Sequence, residues 1–373
     1  MANELRIVHA LDKNRLTSGS VVQMLEAAVG LATRGHQVTV VSRPGGDLEA
    51  PCRQAGVDFV ALALRGPFDL ASASSLRRLL RRRQVDLIHV HKGGPHGVAL
   101  LAAAGLGRRP RIVVNRGVAF RLDLLNRWKY RHPRVGAVVC VAEAVRQAVI
   151  ASGGLRPERV HTVHAGSDVE RFHPERVDCQ ALRAELGLGP QELLVGQVSV
   201  RDWKGWRELL AAFARIVESV PRSRLLLVGC EPAVERLKVE SAVAESGLSG
   251  SVLTLPFRRD MPQVLAACDL VVDASWAGTG ITGTLREAMA VARPVVASDC
   301  GGNRELVVDG EVGLLVPARD VEALAAAIMA LLGNPEQRER MGRAGRRRVV
   351  ERFSSGRRVE RLEALYRDLL GQA

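Results

Sequence analysis

Short apolar runs alternate with longer amphipathic segments along the first half of the chain. The runs that predict buried strands are Leu5–Ala10, Gln37–Val41, Val57–Leu62, Asp86–Val90, Arg111–Asn115 and Gly136–Val141. The segments that predict helices between them include Val21–Thr33, Ser72–Arg83, Gly97–Gly105 and Glu143–Ala151. Because short buried strands separated by helix-length segments form βαβ units, this half predicts a parallel sheet with helices on both faces.

A second series of the same kind follows a predicted loop at residues 163–174. Its strands are predicted at Leu193–Val198, Arg224–Val228, Ser251–Leu255, Leu270–Val272 and Pro294–Ala297. One helix is predicted to begin at Trp206 and another to lie near Pro232–Ser246. The pattern from Asp320 onward is helical and ends in Arg357–Leu370. The sequence therefore predicts an α/β protein with two doubly wound, Rossmann-like domains that face each other across a cleft, followed by C-terminal helices.

Length and composition support two domains. The chain has 373 residues, 47% hydrophobic and 25% charged, so it is too long for one core and apolar enough for two. Pro and Gly cluster at residues 173–190, where we expect the linker. We predict domains at residues 1–175 and 176–352, and a C-terminal helix at residues 353–373 that packs back on the first domain.

Cysteine usage and hydropathy indicate a cytoplasmic protein. The six Cys stand far apart without a C-x-x-C pair, which suits a reducing compartment. The longest weakly polar stretch, Gly97–Gly107, is shorter than the ~18 apolar residues that a membrane span requires. Because the N-terminus lacks the regions of a secretory signal, we expect the protein to stay in the cytoplasm.

The excess positive charge lies in one segment. The chain has 53 Lys and Arg against 40 Asp and Glu, a formal net charge of +13. The segment Leu76–Arg134 holds 15 of these basic residues and two of the acidic ones, so the rest of the chain is balanced. Such a face attracts the phosphates of anionic lipid, lipopolysaccharide or nucleic acid, but a merely solvated Arg-rich face has the same composition.

Several common nucleotide and metal motifs are missing from the sequence. The loop after the first predicted strand reads HALDKNRLTSGS and contains no G-x-G-x-x-G. The chain also has no P-loop, no H-E-x-x-H and no D-x-D. These absences weigh against a dinucleotide enzyme, an ATPase, a zinc peptidase and a metal held by carboxylates.

The loop after the predicted strand Leu193–Val198 carries two cations. Arg201 and Lys204 lie just before the helix that begins at Trp206. Ligands of doubly wound sheets collect at the carboxyl ends of the strands, and two cations beside a helix N-terminus suit a diphosphate. A lysine that is simply solvated is the ordinary alternative for Lys204.

A glycine-rich loop follows a later strand of the second series. The segment Gly278–Thr284 holds three glycines, whose amides can approach a phosphate closely, and threonine hydroxyls at a helix start. Glu287 falls on the first turns of that helix, where it can reach a ribose diol. The alternative for Glu287 is a carboxylate that complements the helix dipole.

All nine His lie within the first 173 residues, and three of them fall in the segment His89–His96. His89 and His91 share one face of a predicted strand, which permits a metal. No Cys and few carboxylates accompany them, so we expect no metal. We instead expect His91 and Lys92 at the strand end, together with Arg116, to line the cleft near an acceptor.

Further motifs occur in a fixed order along the chain. They are ATRGHQVTVV (Ala32–Val41), DLIHVH (Asp86–His91), ERVHTVHAGSDVERFHP (Glu158–Pro174), WKGWRELLAAFARI from Trp203, LREAMAVARPVVASDCGGNRELVVDGEVGLLVPARDVEALAAAI from Leu285, and a closing ERF. In this order they resemble the GT-B glycosyltransferases of retaining family 4, the group 1 or lipopolysaccharide-core type. The likeness covers nearly the whole chain and implies that residues 1–175 bind an acceptor and residues 176–352 a nucleotide-sugar donor.

The resemblance implies that cations and glycine amides hold the donor diphosphate. Arg201 and Lys204 would be these cations. Many family members carry the arginine earlier, at the position of Gln197 or Ser199 in this chain. Gly19, in the loop after the first strand, would let the backbone meet the donor phosphates from the opposite wall of the cleft.

The resemblance also implies how the nucleoside and the sugar are held. Glu287 matches the second glutamate of the family's E-x7-E motif, which binds the ribose, whereas Thr279 stands where the first glutamate holds the donor sugar. The residues whose amides would serve the sugar and phosphates are Gly280, Ile281, Thr282, Gly283, Thr284 and Leu285. Phe257 and Arg258 align with the nucleobase site, although an exposed loop pair is the alternative.

The reaction that follows from the resemblance is transfer of a hexose-like sugar from a nucleoside diphosphate to a glycolipid or oligosaccharide hydroxyl, with retention and without a metal. This fits cell-envelope or lipopolysaccharide-type synthesis by a cytoplasmic enzyme, peripheral on the inner face of the membrane through Leu76–Arg134. One alternative is a sugar-nucleotide epimerase. Another is a non-catalytic polyanion or membrane binder, but with 3% aromatic residues we expect no nucleic-acid partner.

Overall fold

The chain folds into two compact units. The computed structural model describes residues 4–107, 110–119, 122–231, 233–277 and 280–371. The first unit combines Met1–Gly166 with Ser355–Ala373, and the second is Ser167–Ser354. The domain boundary that we predict at residue 175 lies inside the second unit, and the boundary at residue 352 lies close to the point where the chain returns to the first unit.

Each unit contains one sheet, and all neighbouring strands in the described part of each sheet are parallel. The strands of the first unit are β1 (Arg6–Ala10), β2 (Gln37–Ser42), β3 (Asp58–Ala61), β4 (Leu87–Val90), β5 (Arg111–Arg116), β6 (Val135–Cys140) and β7 (Val160–Thr162). Those of the second unit are β8 (Leu193–Val198), β9 (Ser223–Val228), β10 (Val252–Leu255), β11 (Leu270–Asp273), β12 (Val295–Ser298) and β13 (Gly313–Val316).

Helices connect the strands and cover the sheets. They are α1 (Gly19–Thr33), α2 (Glu49–Gln54), α3 (Leu70–Arg82), α4 (Gly93–Ala103), α5 (Leu124–Arg131), α6 (Glu143–Gly153), α7 (Gln180–Glu185), α8 (Trp206–Ser219), α9 (Ala233–Glu245), α10 (Met261–Ala267), α11 (Gly283–Ala290), α12 (Asn303–Leu306), α13 (Val321–Leu332), α14 (Pro335–Arg352) and α15 (Ser355–Leu369). Side-chain caps fix several helix starts: Asp69 accepts from the Ser72 amide at α3, and Asp320 accepts from the Ala323 amide at α13.

The strand order changes direction once in each sheet. The first sheet runs β3-β2-β1-β4-β5-β6-β7 and the second β10-β9-β8-β11-β12-β13. Loops that leave two adjacent strands at such a point diverge to opposite faces of the sheet and open a crevice at its carboxyl edge. The crevice of the first unit therefore lies between the loops after β1 and β4, and that of the second between the loops after β8 and β11.

Each unit has its own hydrophobic core. In the second unit Trp206 and Phe213 of α8 are fully buried against the sheet. In the first unit α15 packs beside α1, and its Leu362 and Tyr366 are fully buried. Gly30 of α1 permits this approach, because a Cβ atom there would overlap Val359 of α15. The end of the chain thus completes the core with which the chain begins.

The predicted α/β class with two doubly wound sheets is confirmed. The predicted strands do not include β7 or β13. The three residues of β7 are too few to set a period. The predicted linker at residues 173–190 contains α7, whose Arg183 donates to the carbonyls of Ala267 and Glu192. These bonds attach that segment to the second unit.

Candidate functional site

The loop between β8 and α8 sits tightly against the end of β11. Asp202–Lys204 form a single 3-10 turn, and Gly205 follows with a φ of 70°. A Cβ atom at this position would overlap the carbonyl oxygen of Ala274, which comes directly after β11. Only glycine meets both the left-handed backbone and this close approach. The sequence K-G therefore fixes where the lysine emerges.

Two further contacts hold this loop to the β11 side of the crevice. Gln197, buried near the end of β8, donates to the Lys204 carbonyl at 3.2 Å and accepts from the Ala274 amide at 3.4 Å. Trp276 donates its amide to the Trp203 carbonyl at 3.0 Å. The loop backbone is thereby anchored to both strands that flank the crevice.

Lys204 pairs with a buried carboxylate that the sequence motifs do not include. Its Nζ lies 3.0 Å from Oδ2 of Asp273, the last residue of β11, and 12% of the lysine side chain and 3% of the aspartate are exposed. Burial acts to raise the pKa of Asp273, but the Lys204 charge and the hydrogen bonds from Ser275 and Lys204 together hold it below its usual value. The Asp273 carboxyl is therefore ionised at neutral pH.

Arg201, the second predicted cation, begins the same turn. Its carbonyl accepts from the Lys204 amide at 2.8 Å, and its side chain is exposed. Lys204 also lies 4.9 Å from the centre of the Trp203 ring, a distance that allows a cation–π contact. One turn thus presents an oriented ammonium group and an exposed guanidinium group.

The glycine-rich loop lies on the other side of the crevice. Thr279 and the neighbouring Gly278 lie outside the described residues. The Gly280 carbonyl accepts from the Gly302 amide at 3.1 Å, and the Thr282 amide donates to Asn303 Oδ1 at 3.4 Å. Asn303 is fully buried and also donates to the Ser298 carbonyl, so β12 supports this loop.

The N-terminus of α11 is left uncapped by its own side chain. Thr282 precedes the helix in an extended conformation and makes no side-chain cap. Its hydroxyl oxygen is buried and has no hydrogen-bond partner among the residues that the structure describes. The amides at a helix start carry positive potential, and an unpaired hydroxyl can donate a hydrogen bond, so this helix start is chemically suited to an anion.

Glu287 lies in the second turn of α11. As the fifth residue of the helix it is beyond the first turn, where an interaction with the dipole is strongest, so the dipole alternative loses support. Burial raises the pKa of its carboxyl, while the charges of Arg286 and Arg171 act in the opposite direction. A carboxylate held in an unfavourable environment marks a functional-site candidate.

Phe257 and Arg258 follow β10, the edge strand two positions from β8. The Phe257 side chain is 41% exposed. Arg258 is bound by Glu185 at 2.6 Å and by Asp260 at 2.7 Å, and these hydrogen bonds raise its pKa. Its charge is largely satisfied within the unit, so Arg258 is less available to a ligand than the sequence pattern alone indicates.

A hollow of about 450 Å³ opens beside the ends of β9 and β10. Its lining residues are Cys230, Glu231, Ala233, Arg236, Glu240, Thr254, Leu255 and Pro256. Sequence reasoning does not identify this hollow, because its walls come from two strands and a helix that no single motif connects. The signal that the sequence does offer is the position of Glu231 shortly after a buried strand.

In the first unit His91 belongs to a buried cluster of imidazoles at the end of β1 and β4. His9 Nδ1 lies 2.9 Å from His91 Nε2, and His89 Nδ1 lies 2.5 Å from the Tyr366 hydroxyl. Burial and, after it, the charge of Arg358 lower the pKa of His9 to about 3, and burial also lowers the pKa of His89 and His91. The cluster is therefore neutral at physiological pH.

Ring nitrogens of His9, His89 and His91 lie within 4.8 Å of one another, a spacing that a metal ion can use. The positive charge of Arg358 acts on all three rings, and it opposes a second cation in the same buried place. The direct bond from His9 to His91 also occupies two of the nitrogens. We therefore keep the expectation that this cluster binds no metal.

The other residues predicted for the first unit lie around its crevice. Lys92 precedes α4 and is half-buried; burial and the neighbouring Lys13 lower its pKa. Arg116 ends β5 and hydrogen-bonds Tyr130. Gly19 begins α1, and a Cβ atom there would meet nothing within 4 Å. These positions lie on the loops after β1, β4 and β5, at one edge of the sheet.

The basic segment Leu76–Arg134 does not form one uniform face. Arg77 donates to the Ala104 carbonyl, Arg134 to those of Leu106 and Gly107, and Arg83 to Thr39 and Asp58. Arg108, Arg109 and Arg121 lie outside the described residues. Among the helices in the described ranges, none is long and apolar enough to cross a bilayer.

Two family models match different parts of the chain. The model for Glycosyltransferase Family 4 matches residues 17–171, and the model for Glycosyl transferases group 1 matches residues 189–334. The first match contains the predicted acceptor-side residues, and the second contains the loops after β8 and β11. Both models describe enzymes that transfer sugars.

Relatives and a solved structure agree with these matches over nearly the full length. N-acetyl-alpha-D-glucosaminyl L-malate synthase of Bacillus anthracis is 29% identical in an alignment of 373 positions, gaps included, that covers 94% of each chain. The GDP-mannose-dependent alpha-(1-6)-phosphatidylinositol monomannoside mannosyltransferase of Mycolicibacterium smegmatis is 26% identical and covers 93% of this chain and 94% of the relative. The Anabaena protein HepE, solved with UDP and glucose, superimposes with a TM-score of 0.85 at 22% identity, over 98% of this chain and 100% of HepE. The chain therefore has the GT-B fold and belongs to the group 1 glycosyltransferases of family 4, enzymes that use nucleotide-sugar donors.

Proposed function

We propose that this enzyme transfers a hexose-like sugar, with retention, from a nucleoside diphosphate to a hydroxyl of an anionic glycolipid or oligosaccharide. The observation that carries the proposal is the crevice after β8 and β11. There the Lys204 ammonium emerges on one side, and an uncapped helix start with the unpaired Thr282 hydroxyl lies on the other. Cations and helix amides are the groups that hold a diphosphate.

The difficult step is departure of the diphosphate as the sugar becomes oxocarbenium-like, a demand shared with glycoside hydrolysis. Lys204, Arg201 and the amides at the start of α11 stabilise the charge that develops on the leaving oxygen. Groups fixed in this way contribute about 3 kcal/mol each, by analogy with the loss of single donors from oxyanion holes. The proposed chemistry uses these groups without a metal.

The proposed stereochemistry follows from attack on the face that the diphosphate leaves. The bond from the anomeric carbon to the phosphate oxygen breaks while the bond to the acceptor oxygen forms on the same face. The acceptor proton passes to the departing phosphate oxygen, so no enzymic base is required. This path retains the configuration of the anomeric carbon.

The nucleoside is proposed to lie along the carboxyl edge of the second sheet. Glu287 accepts hydrogen bonds from the ribose hydroxyls; burial raises the pKa of its carboxyl, and such donors would favour the ionised form. The hollow at β9 and β10, beside the exposed Phe257, offers room for the base. The backbone from Gly280 onward serves the phosphates and the sugar, and Thr279 stands at the position of the missing sugar-binding glutamate.

The acceptor is proposed to come from the inner face of the membrane, to which the cytoplasmic enzyme binds peripherally. His91, Lys92 and Arg116 remain the proposed acceptor-side residues. Exposed Phe68 and Trp128 lie in or beside the basic segment, and such side chains favour a lipid interface. One relative carries phosphatidylinositol monomannoside in its name, which supports an anionic glycolipid as the acceptor class.

The test combines the protein with UDP-glucose, GDP-mannose and ADP-glucose, with and without a mixed glycolipid extract of bacterial envelopes. We expect one donor to lose its sugar to the lipid fraction, with an unchanged anomeric configuration in the product NMR spectrum. An inverted product contradicts retention. Conversion of the sugar nucleotide without any acceptor identifies the alternative, an epimerase, and vesicle binding without turnover of any donor identifies a non-catalytic binder.

A further inference from the structure

Asp273 is the buried charged group of the second unit that no motif of the donor site includes. It ends β11, and both of its carboxylate oxygens are engaged. Oδ2 accepts from Lys204 Nζ at 3.0 Å, and Oδ1 accepts from the Ser275 amide at 3.3 Å. A buried ion pair is often no more stabilising than apolar side chains of the same volume. The pair of Asp273 and Lys204 is therefore a candidate for a role other than stability.

Different groups hold the backbone of the β8–α8 loop and the ammonium group of Lys204. Gln197, Trp276 and the close approach at Gly205 hold the backbone, as described above. The bonds that Gln197 and Trp276 make to this loop are to its backbone carbonyls. A lysine side chain carries its charge at the tip of a flexible four-carbon stem, so a fixed backbone alone does not orient the ammonium group. The tip of the side chain instead donates to Asp273 Oδ2 at 3.0 Å.

The chemistry of the ammonium group leaves room for a second partner. A lysine ammonium has three N–H donors, and the bond to Asp273 uses one of them. The remaining donors can serve oxygens of a diphosphate at the same time.

We propose that Asp273 is a positioning residue that aims the Lys204 ammonium at the leaving oxygen of the donor diphosphate. The inference rests on the proposed function, because it requires that Lys204 contacts the donor. It makes a specific distinction between binding and turnover. The carboxylate repels a bound diphosphate but orients the cation that stabilises the departing one, so its loss weakens catalysis more than ground-state binding.

The experiment compares Asp273→Asn with Asp269→Asn. Asp269 lies just before the other end of β11, where it accepts from the Leu194 amide at 2.8 Å and pairs with Arg183 at 3.4 Å, so it is a matched control. For Asp273→Asn we expect kcat to fall about 10- to 100-fold, the size of effect seen when a catalytic group is misplaced by about 1 Å. The Kd of the donor nucleotide, measured by calorimetry, stays within about threefold. The control keeps both values.

A double mutant distinguishes positioning through Lys204 from a separate effect. If Asp273 acts through Lys204, then Lys204→Ala with Asp273→Asn is no slower than Lys204→Ala alone. Independent losses that multiply overturn the proposal, and so does wild-type kcat in Asp273→Asn. A faster Asp273→Asn enzyme also overturns it, because the carboxylate then acts only as a repelling charge.

Two outcomes keep this inference separate from the proposed function. Wild-type turnover in Lys204→Ala rejects the proposed role of the lysine itself, whatever Asp273 does. If Asp273→Asn does not fold, Asp273→Glu replaces it, because it keeps the charge and moves the carboxylate by one methylene. We expect the same loss of kcat with unchanged nucleotide binding in that variant, and wild-type kcat in it overturns the positioning role.

Discussion

Single residues at the carboxyl edge of the second sheet hold their charge in two different ways. Lys204 and Asp273 satisfy each other at 3.0 Å, so the cation is ready before a ligand arrives. In Glu287 the ionised form is instead disfavoured, because burial outweighs the nearby charges of Arg286 and Arg171 and raises the pKa of the carboxyl. Sites that favour function over stability have this character.

Replacement of Glu287 by Gln separates the effect of this carboxylate on the stability of the fold from its effect on donor binding. The raised pKa means that the ionised carboxylate destabilises the fold above that pKa, and that this cost disappears as the pH falls and the group is protonated. We therefore expect Glu287→Gln to have a higher Tm than wild type at pH 7. The difference should shrink as the pH approaches 4.5, the usual value for a glutamate, and vanish below it. Donor affinity should fall about tenfold, since one charged hydrogen-bond acceptor is lost.

Scanning calorimetry across pH 4 to 8 measures the change in Tm, and nucleotide titration measures the change in donor affinity. Glu245→Gln, on the exposed surface of α9, removes the same charge without burial and should change neither quantity. A lower Tm at pH 7 together with unchanged nucleotide affinity would mean that Glu287 is a structural residue.

At the level of elements, α3 shows how one helix divides an arginine-rich run. Its buried residues include Leu76 and Leu80, and the helix packs against α4. Arg83, just beyond its end, is bound to Thr39 and Asp58. Arg81 and Arg82 in its last turn are exposed. The exposed positive charge that can meet a membrane is therefore smaller than the segment total, and on α3 it includes Arg81 and Arg82.

Charge reversal on α3 tests membrane docking. We expect Arg81→Glu with Arg82→Glu to reduce binding to phosphatidylglycerol-containing vesicles about 30-fold or more, from about 1 kcal/mol per basic residue near an anionic surface. Co-sedimentation at 0.1 M salt gives the affinity. Arg340→Glu with Arg347→Glu makes the same charge change on exposed positions of α14 and should have little effect. Equal binding by both double variants rejects docking through α3.

At the scale of the molecule, the sequence predicts the two doubly wound sheets and the loops that carry Lys204, Thr282 and Glu287. These follow from local patterns of apolar runs, glycines and charges. The partner of Lys204 does not follow, because Asp273 reaches it only when β11 lies beside β8, and strand order is not written in either segment. A carboxylate at the end of a buried strand is the one local signal that points to it.

Other whole-molecule features depend on pairing across long separations for the same reason. The imidazole cluster needs β1 and β4 as neighbours and Tyr366 from the returning α15. The sequence motif H-V-H identifies His89 and His91 but gives no hint of His9. The ion pair between Arg258 and Glu185 also requires α7 to lie near the loop that follows β10.

Calorimetric titration of UDP, GDP and ADP into wild type, Lys204→Ala and Lys238→Ala measures directly whether Lys204 holds a diphosphate. Lys238 is a half-exposed lysine of the same unit, paired with Glu235, and serves as the matched control. We predict that wild type and Lys238→Ala bind one of these nucleotides equally well, and that Lys204→Ala binds it about 100-fold more weakly, consistent with about 3 kcal/mol for a preorganised cation. Equal affinity in Lys204→Ala, or no binding of any of the three by wild type, would contradict a diphosphate site at the crevice after β8 and β11.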